Sequence, residues 1–150
     1  MLTRYVDTSI LAAYYCPEPL SEQAEQHLRR LRPPVISRLT DVELHSALAK
    51  KTRRRELSSN DAERVQNLFR THVRRGLYEV VPIEQDEYVR ARQWMATNET
   101  ALRTLDALHL AAADRRNLPV LTADHGMADA GDEFGIEITL MEAEETSGEE

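Results

Sequence analysis

The sequence predicts an α/β protein with a mainly parallel central sheet that helices cover on both faces. Short β-like segments alternate with longer helical segments along the 150 residues, and this alternation is typical of parallel sheets. The length suits one domain with a single core, and 41% hydrophobic and 30% charged residues are ordinary for a globular protein. We assign the domain to residues 1–141 and interpret the Glu-rich segment 142–150 as a disordered acidic tail.

The first half of the chain is predicted to contain two strands and four helices. The strands are assigned to residues 2–6 and 35–37, and the helices to residues 9–15, 21–31, 40–54 and 58–75. The sequence Asp-Thr-Ser after the first strand is a helix-start signal. Pro33 and Pro34 end the second helix, and Ser58 or Ser59 caps the fourth, which ends near Gly76.

The second half is predicted to contain three strands and two helices. Strands are assigned to residues 78–82 and 119–122 and to the alternating Ile136, Ile138 and Leu140, which suit an edge strand. Helices are assigned to residues 84–97 and to the largely apolar segment 103–117. No helix is predicted for residues 123–135. Asp129 and Asp132 in this segment are interpreted as surface turn residues, with an auxiliary metal ligand as the alternative.

The net charge of −7 is distributed unevenly along the chain. Residues 1–75 hold 14 of the 19 basic residues and only 9 of the 26 acidic ones. The basic half could therefore meet a polyanion while an acidic centre binds metal, although a solvated helix surface explains the basic charge equally simply. The single Cys16 excludes an internal disulfide and a cysteine-based zinc site. Because no apolar run suits a membrane helix or signal peptide, we expect a cytoplasmic protein.

Two aspartates follow predicted strands of the sheet. Asp7 comes after the first strand and Asp124 after the strand at 119–122. In open α/β sheets the active site lies beyond the carboxyl ends of the strands, so both side chains are expected at the same edge. Capping or turn chemistry is the alternative explanation for each aspartate taken alone.

Two further carboxylates lie on helix faces that otherwise look buried. Glu43 lies only about 40° around its helix from Ala47, beside the apolar stripe. Asp106 lies on a helix that is apolar nearly all round, where an unpaired carboxylate is costly. The alternatives are a glutamate that reaches outward and an aspartate in a first helical turn.

Together, the four carboxylates predict a site for a hard divalent cation. Clustered carboxylates repel one another, and a bound cation removes that repulsion. Oxygen ligands without a cysteine or histidine pair favour Mg²⁺ or Mn²⁺ over zinc. Such an ion can activate water and orient a phosphodiester, and the sequence contains no glycine-rich phosphate loop, dinucleotide fingerprint or nucleophile elbow.

Four ordered motifs make the sequence resemble a known family. They are YVDTSILAAYY, RLTDVELHSAL, LRTLDALHLAAA and PVLTADHGMADAGDEFGIEI. They resemble the PIN-domain family and, within it, the VapC toxins of type II toxin–antitoxin pairs. The resemblance implies a three-layer α/β/α sandwich and a Mg²⁺- or Mn²⁺-dependent endoribonuclease. Its catalytic and metal-binding positions fall on Asp7, Glu43, Asp106 and Asp124.

The resemblance also implies supporting residues and partners. Ser9 corresponds to a hydroxyl residue that could hydrogen-bond a carboxylate or metal-bound water, and a plain helix cap is the alternative. A small antitoxin and a second copy of the chain are the implied protein partners, and RNA is the implied substrate. The densest basic run supplies candidate RNA contacts, with a solvated helix end as the alternative: Lys50, Lys51, Arg53 and Arg54.

Two histidines and three alternative functions complete the interpretation of the sequence. His109 and His125 are interpreted as structural histidines. A receiver-type signalling domain needs a lysine after a late strand, but the only lysines are Lys50 and Lys51. A PIN nuclease that processes RNA without an antitoxin and a PIN-type module that binds without cutting stay as alternatives.

Overall fold

The computed structural model describes residues 2–97 and 101–143. These residues form five strands and seven helices. The strands are β1 Tyr5–Val6, β2 Val35–Ser37, β3 Glu79–Val81, β4 Val120–Thr122 and β5 Ile138–Leu140. The helices are α1 Thr8–Tyr15, α2 Ser21–Arg29, α3 Arg38–Arg53, α4 Ser59–Arg74, α5 Gln85–Ala96, α6 Thr104–Arg115 and α7 His125–Glu133.

The strands form one parallel sheet in the order β3-β2-β1-β4-β5. The central strand β1 pairs with β2 through Tyr5 and Val35, and with β4 through Val6 and Leu121. Because successive side chains of a strand point to opposite faces, Val6 packs into one hydrophobic core and Tyr5 into the other. This order places β1 at the centre, β2 and β4 beside it, and β3 and β5 at the edges.

Each face of the sheet carries its own helical layer. Buried residues of α1 to α4 pack with Val6, and buried residues of α5 to α7 pack with Tyr5. The predicted α/β/α sandwich with a parallel sheet is therefore confirmed. Every residue of α6 from Ala107 to Ala113 is buried, as its apolar sequence indicates, and Ser58 caps α4 by accepting a hydrogen bond from the backbone of Asp61.

One helix was missed in the sequence analysis. Residues 125–133 form α7, so Asp129 and Asp132 lie on a helix and their interpretation as turn residues is wrong. The two glycines of this segment are poor helix formers, so its local helix propensity is low although Asp124 caps it. Gly131 is required by packing, because a Cβ there would lie 1.8 Å from Cδ1 of Ile138 in β5.

We expect Gly131→Ala to lower the free energy of unfolding by about 1–3 kcal/mol, as overpacking does. In the Ile138→Ala background, which lacks the obstructing side-chain atoms, the same change should be neutral or stabilising, because alanine is the better helix former. Urea unfolding of the four proteins of this cycle tests the claim. An equal cost of Gly131→Ala in both backgrounds would show that contact with Ile138 is not its cause.

In the described part of the chain, no helix has the length and apolar character needed to cross a membrane. The predicted acidic tail over residues 142–150 falls, from residue 144 onward, outside the described residues. The imidazole of His125 lies 3.7 Å from the carboxylate of Glu142.

Candidate metal centre

The four predicted carboxylates lie at the carboxyl edge of the sheet. Asp7 directly follows β1, and Asp124 lies two residues after β4. Glu43 and Asp106 lie near the N-terminal ends of α3 and α6. Four separate segments of the chain therefore bring carboxylates to one region, at the edge where open α/β sheets place their sites.

Asp7 occupies the N-cap position of α1 without making a side-chain capping bond. Its Oδ2 atom instead accepts hydrogen bonds from the hydroxyls of Ser9, at 2.7 Å, and Thr122, at 2.9 Å. Its Oδ1 atom lies 4.0 Å from Nε2 of His109. The carboxylate is thus held by one oxygen while the N-terminal end of α1 favours its negative charge.

The hydroxyls that hold Asp7 also fix the segment after β4. Ser9 accepts a hydrogen bond from the backbone of Ala123, at 3.0 Å, and Thr122 accepts one from the backbone of Asp124, at 3.0 Å. Ser9 lies inside α1 and the cap position belongs to Asp7, so its hydroxyl binds a carboxylate and is not the cap. These bonds set the position of Asp124 relative to Asp7.

Glu43 is oriented by two side chains from other elements. Its Oε1 atom accepts a hydrogen bond from the hydroxyl of Thr8, at 2.8 Å, and another from Nε2 of His109. Burial acts to raise the pKa of Glu43, but the hydrogen bond and the charge of His109 hold that pKa below its usual value. Glu43 is therefore ionised and fixed, with 22% of its side chain exposed.

His109 is a fully buried imidazole beside these carboxylates. Its Nδ1 atom lies 2.5 Å from the hydroxyl of Tyr5, which itself donates a hydrogen bond to Ser37. An ionised carboxylate only accepts, so Nε2 donates to Glu43, whereas the role of Nδ1 toward the Tyr5 hydroxyl depends on the tautomer. Burial opposes the charged imidazole, yet the hydrogen bond to Glu43 and the nearby carboxylates raise the pKa of His109. The carboxylates around His109 therefore favour its protonated form.

This geometry changes the interpretation of His109. The histidine is buried and hydrogen-bonded at both nitrogens, as a structural residue would be, but it also belongs to the acidic site. Ligand atoms of Asp7, Glu43 and His109 all lie within 4.8 Å of one another. Because Nε2 of His109 donates to Glu43 and Nδ1 contacts the Tyr5 hydroxyl, we expect the imidazole to position Glu43 and not to serve as a metal ligand. The sequence feature that could have indicated its place in the site is its position three residues after Asp106, on the same helix face.

Asp106 and Asp124 form an outer pair at the rim of the site. The guanidinium of Arg103 lies between them, with Nε 3.3 Å from Asp106 and Nη2 3.2 Å from Asp124. Burial and then the charge of Asp124 raise the pKa of Asp106, against the opposing charge of Arg103. Asp124 also accepts a hydrogen bond from the backbone of Gly126, so it caps α7 as well. These three charged side chains line an open depression of roughly 220 Å³.

The charges of this site fit a divalent cation. Among the described residues, Arg103 and, when protonated, His109 face the four carboxylates, which leaves at least two negative charges unbalanced when all four are ionised. The donor set consists of carboxylate oxygens, the type that Mg²⁺ and Mn²⁺ prefer. The charge of Asp124 adds to the effect of burial in raising the pKa of Asp106.

The remaining candidates lie at different distances from the carboxylates. The basic run continues α3 beyond Glu43, so Lys50 to Arg53 lie about 10 to 15 Å along the helix axis from it. Lys51 pairs with Glu18, at 2.6 Å. Exposed Asp129 lines the depression beside the outer pair, whereas Asp132 does not, and the side chain of His125 is largely exposed.

Comparisons with known proteins identify this architecture. The PIN domain family matches residues 4–133. The structure of FitAcB from Neisseria gonorrhoeae is similar, with 20% identity, a TM-score of 0.64 and coverage of 92% of this chain and 96% of that chain. A VapC20 structure from Mycobacterium tuberculosis, described as a sarcin–ricin-loop-cleaving toxin, has 19% identity and a TM-score of 0.63. The match covers 85% of this chain and 94% of that chain. The structure of DNA-bound VapBC from Salmonella typhimurium has 22% identity and a TM-score of 0.60. The match covers 94% of this chain and 99% of that chain. No curated protein sequence matches the chain significantly.

Proposed function

Because the chain belongs to the PIN-domain family, we propose that it is a Mg²⁺- or Mn²⁺-dependent endoribonuclease whose catalytic carboxylates are Asp7, Glu43, Asp106 and Asp124. The observation that carries the proposal is the convergence of these four side chains, from four separate segments, at one edge of the sheet with at least two negative charges left unbalanced. Hydrolysis of an RNA phosphodiester is the reaction that such a site suits best.

The carboxylates of the site and the hydroxyls that hold them would have different roles in this reaction. Asp7, Asp106 and Asp124 would hold the cation, and the hydroxyls of Ser9 and Thr122 keep Asp7 in place. The bound cation would supply activation of the attacking water and stabilisation of charge on the leaving oxygen. Glu43, fixed by Thr8 and His109, adds a fourth carboxylate whose ionised oxygens can accept a proton from that water.

We further propose that the chain is the toxin of a type II toxin–antitoxin pair. The similarity to toxin–antitoxin complexes such as VapBC, and to a toxin that cleaves the sarcin–ricin loop, supports this role. The implied partners are a small antitoxin protein and a second copy of the chain. An arginine or lysine of the antitoxin placed among the carboxylates would inhibit the enzyme by replacing the charge of the cation.

The basic run remains the proposed contact for RNA outside the cleaved bond. Lys50, Arg53 and Arg54 are exposed at the C-terminal end of α3, whereas Lys51 is partly engaged with Glu18. RNA bound there would extend along α3 from Glu43, and its backbone would contact these cations without sequence preference.

Expression of the chain alone is expected to arrest the growth of a bacterial host and to create new RNA 5′ ends soon after induction. The Asp7→Asn variant should do neither, since it keeps the fold but loses a carboxylate of the site. Sequencing of RNA 5′ ends after brief induction measures both the activity and the cleavage site. Harmless expression of a protein that cuts RNA in vitro would favour the RNA-processing alternative, and unchanged 5′ ends with no cleavage in vitro would favour a module that binds without cutting.

A further inference from the structure

Arg103 lies in an unusual electrostatic position. It is the N-cap residue of α6, where a cationic side chain is disfavoured by the helix dipole and provides no capping oxygen. Its side chain is 78% exposed and yet reaches two carboxylates from different elements, Asp106 in α6 and Asp124 after β4. The carboxylates are therefore the feature that holds the guanidinium at this place.

The two contacts differ from an ordinary forked ion pair. Nε contacts Oδ2 of Asp106, and Nη2 contacts Oδ2 of Asp124, so the guanidinium bridges two carboxylates with one nitrogen each. A cation held by Asp106 and Asp124 would compete with Arg103 for the same carboxylates. A guanidinium and a divalent ion repel each other at such short distance, so the two cannot bind there together.

We propose that Arg103 neutralises Asp106 and Asp124 in the metal-free protein, gives way when the divalent cation binds, and then holds a phosphate of the RNA substrate. This inference rests on the proposed metal site. An exposed ion pair is weak, so a divalent ion can displace it. The backbone of Arg103 stays fixed at the start of α6, so the freed guanidinium remains beside the site, and its planar fork suits phosphate oxygens.

The test compares Arg103→Ala with Arg64→Ala. Arg64 is a matched control, because it is also exposed and also pairs with an aspartate three residues away on its helix, but that partner is Asp61 in α4, which lies outside the acidic site. Mn²⁺ affinity is measured without RNA by electron paramagnetic resonance of the free ion. The KM and kcat for cleavage of a fluorescent single-stranded RNA are then measured at saturating Mn²⁺.

Arg103→Ala is expected to tighten Mn²⁺ binding by about 2- to 10-fold, since a weak competing pair is removed. It should also raise the KM for RNA by about 3- to 10-fold and make KM less dependent on salt, since one phosphate contact is lost. Arg64→Ala should change neither quantity. Thermal unfolding of both variants checks that the fold is retained.

The outcomes separate this inference from the proposed function. Mn²⁺ binding by Arg103→Ala that is unchanged or weaker, while the unmodified protein binds Mn²⁺ normally, would overturn the proposal that the cation displaces Arg103. That result would leave the proposed metal site intact. Tighter Mn²⁺ binding with an unchanged KM and salt dependence would overturn the phosphate contact. An unmodified protein that binds no Mn²⁺ would overturn the proposed metal site and this inference with it.

Discussion

Asp7→Asn is expected to reduce RNA cleavage by about 1,000-fold or more, because the charge stabilisation supplied by a bound metal ion amounts to several kcal/mol. Asparagine has the shape of aspartate and retains an oxygen that can accept the hydrogen bonds of Ser9 and Thr122. The fold should therefore survive, with a melting temperature within a few degrees of the original. Cleavage of a labelled RNA at several Mn²⁺ concentrations, together with thermal unfolding, measures both effects.

Asp132→Asn is the matched control for Asp7→Asn. Asp132 is an exposed aspartate on α7 and does not line the depression beside Asp106 and Asp124. Its loss removes the same charge from the chain without removing a carboxylate of the site. Equal cleavage by both variants, or full cleavage by Asp7→Asn, would contradict the assignment of Asp7.

His109→Leu is expected to weaken both the fold and the site. The buried imidazole links Tyr5 of the central strand to Glu43 of α3, and its removal leaves the carboxylate of Glu43 without its main partner. We expect the free energy of unfolding to fall by about 2–4 kcal/mol. Cleavage per folded molecule should fall by about 10- to 100-fold, the usual effect of losing a residue that orients a metal-site carboxylate.

Leu110→Ala separates these two effects of His109→Leu. Leu110 is the next residue of α6, is also fully buried, and packs in the hydrophobic core that contains Tyr5. Its truncation should cost about 2–5 kcal/mol of stability but leave the activity of the folded fraction unchanged. Activity is measured at a temperature where urea titration shows every variant to be folded. Full activity of folded His109→Leu would contradict a positioning role.

The sequence was sufficient to predict the layers of the fold and the edge where the acids meet. Asp7 and Asp124 could be placed because parallel strands carry their carboxyl ends to one edge, and this rule needs no side-chain detail. Glu43 and Asp106 could be singled out because each interrupts or borders an apolar helix face. The physics behind these predictions is local periodicity and the cost of burying a charge.

The cations of the site could not be placed in the same way. His109 and Arg103 act through contacts with residues far away in the sequence, Glu43 and Asp124. The apolar neighbours of His109 indicate burial but not its partner. Helix α7 was missed because glycine carries a low helix propensity, whereas Gly131 is present to let α7 approach Ile138. The positions of His109 and Arg103 and the packing of α7 all depend on tertiary contacts, which local sequence patterns do not encode.

The most direct test of the acidic site is cleavage of one RNA by one protein sample in three states: as purified, after dialysis against excess EDTA, and after the return of Mg²⁺ or Mn²⁺. A metal-dependent site predicts cleavage that is lost in EDTA and restored by the returned ion, and no restoration in Asp7→Asn. Cleavage that persists undiminished in excess EDTA would contradict the account.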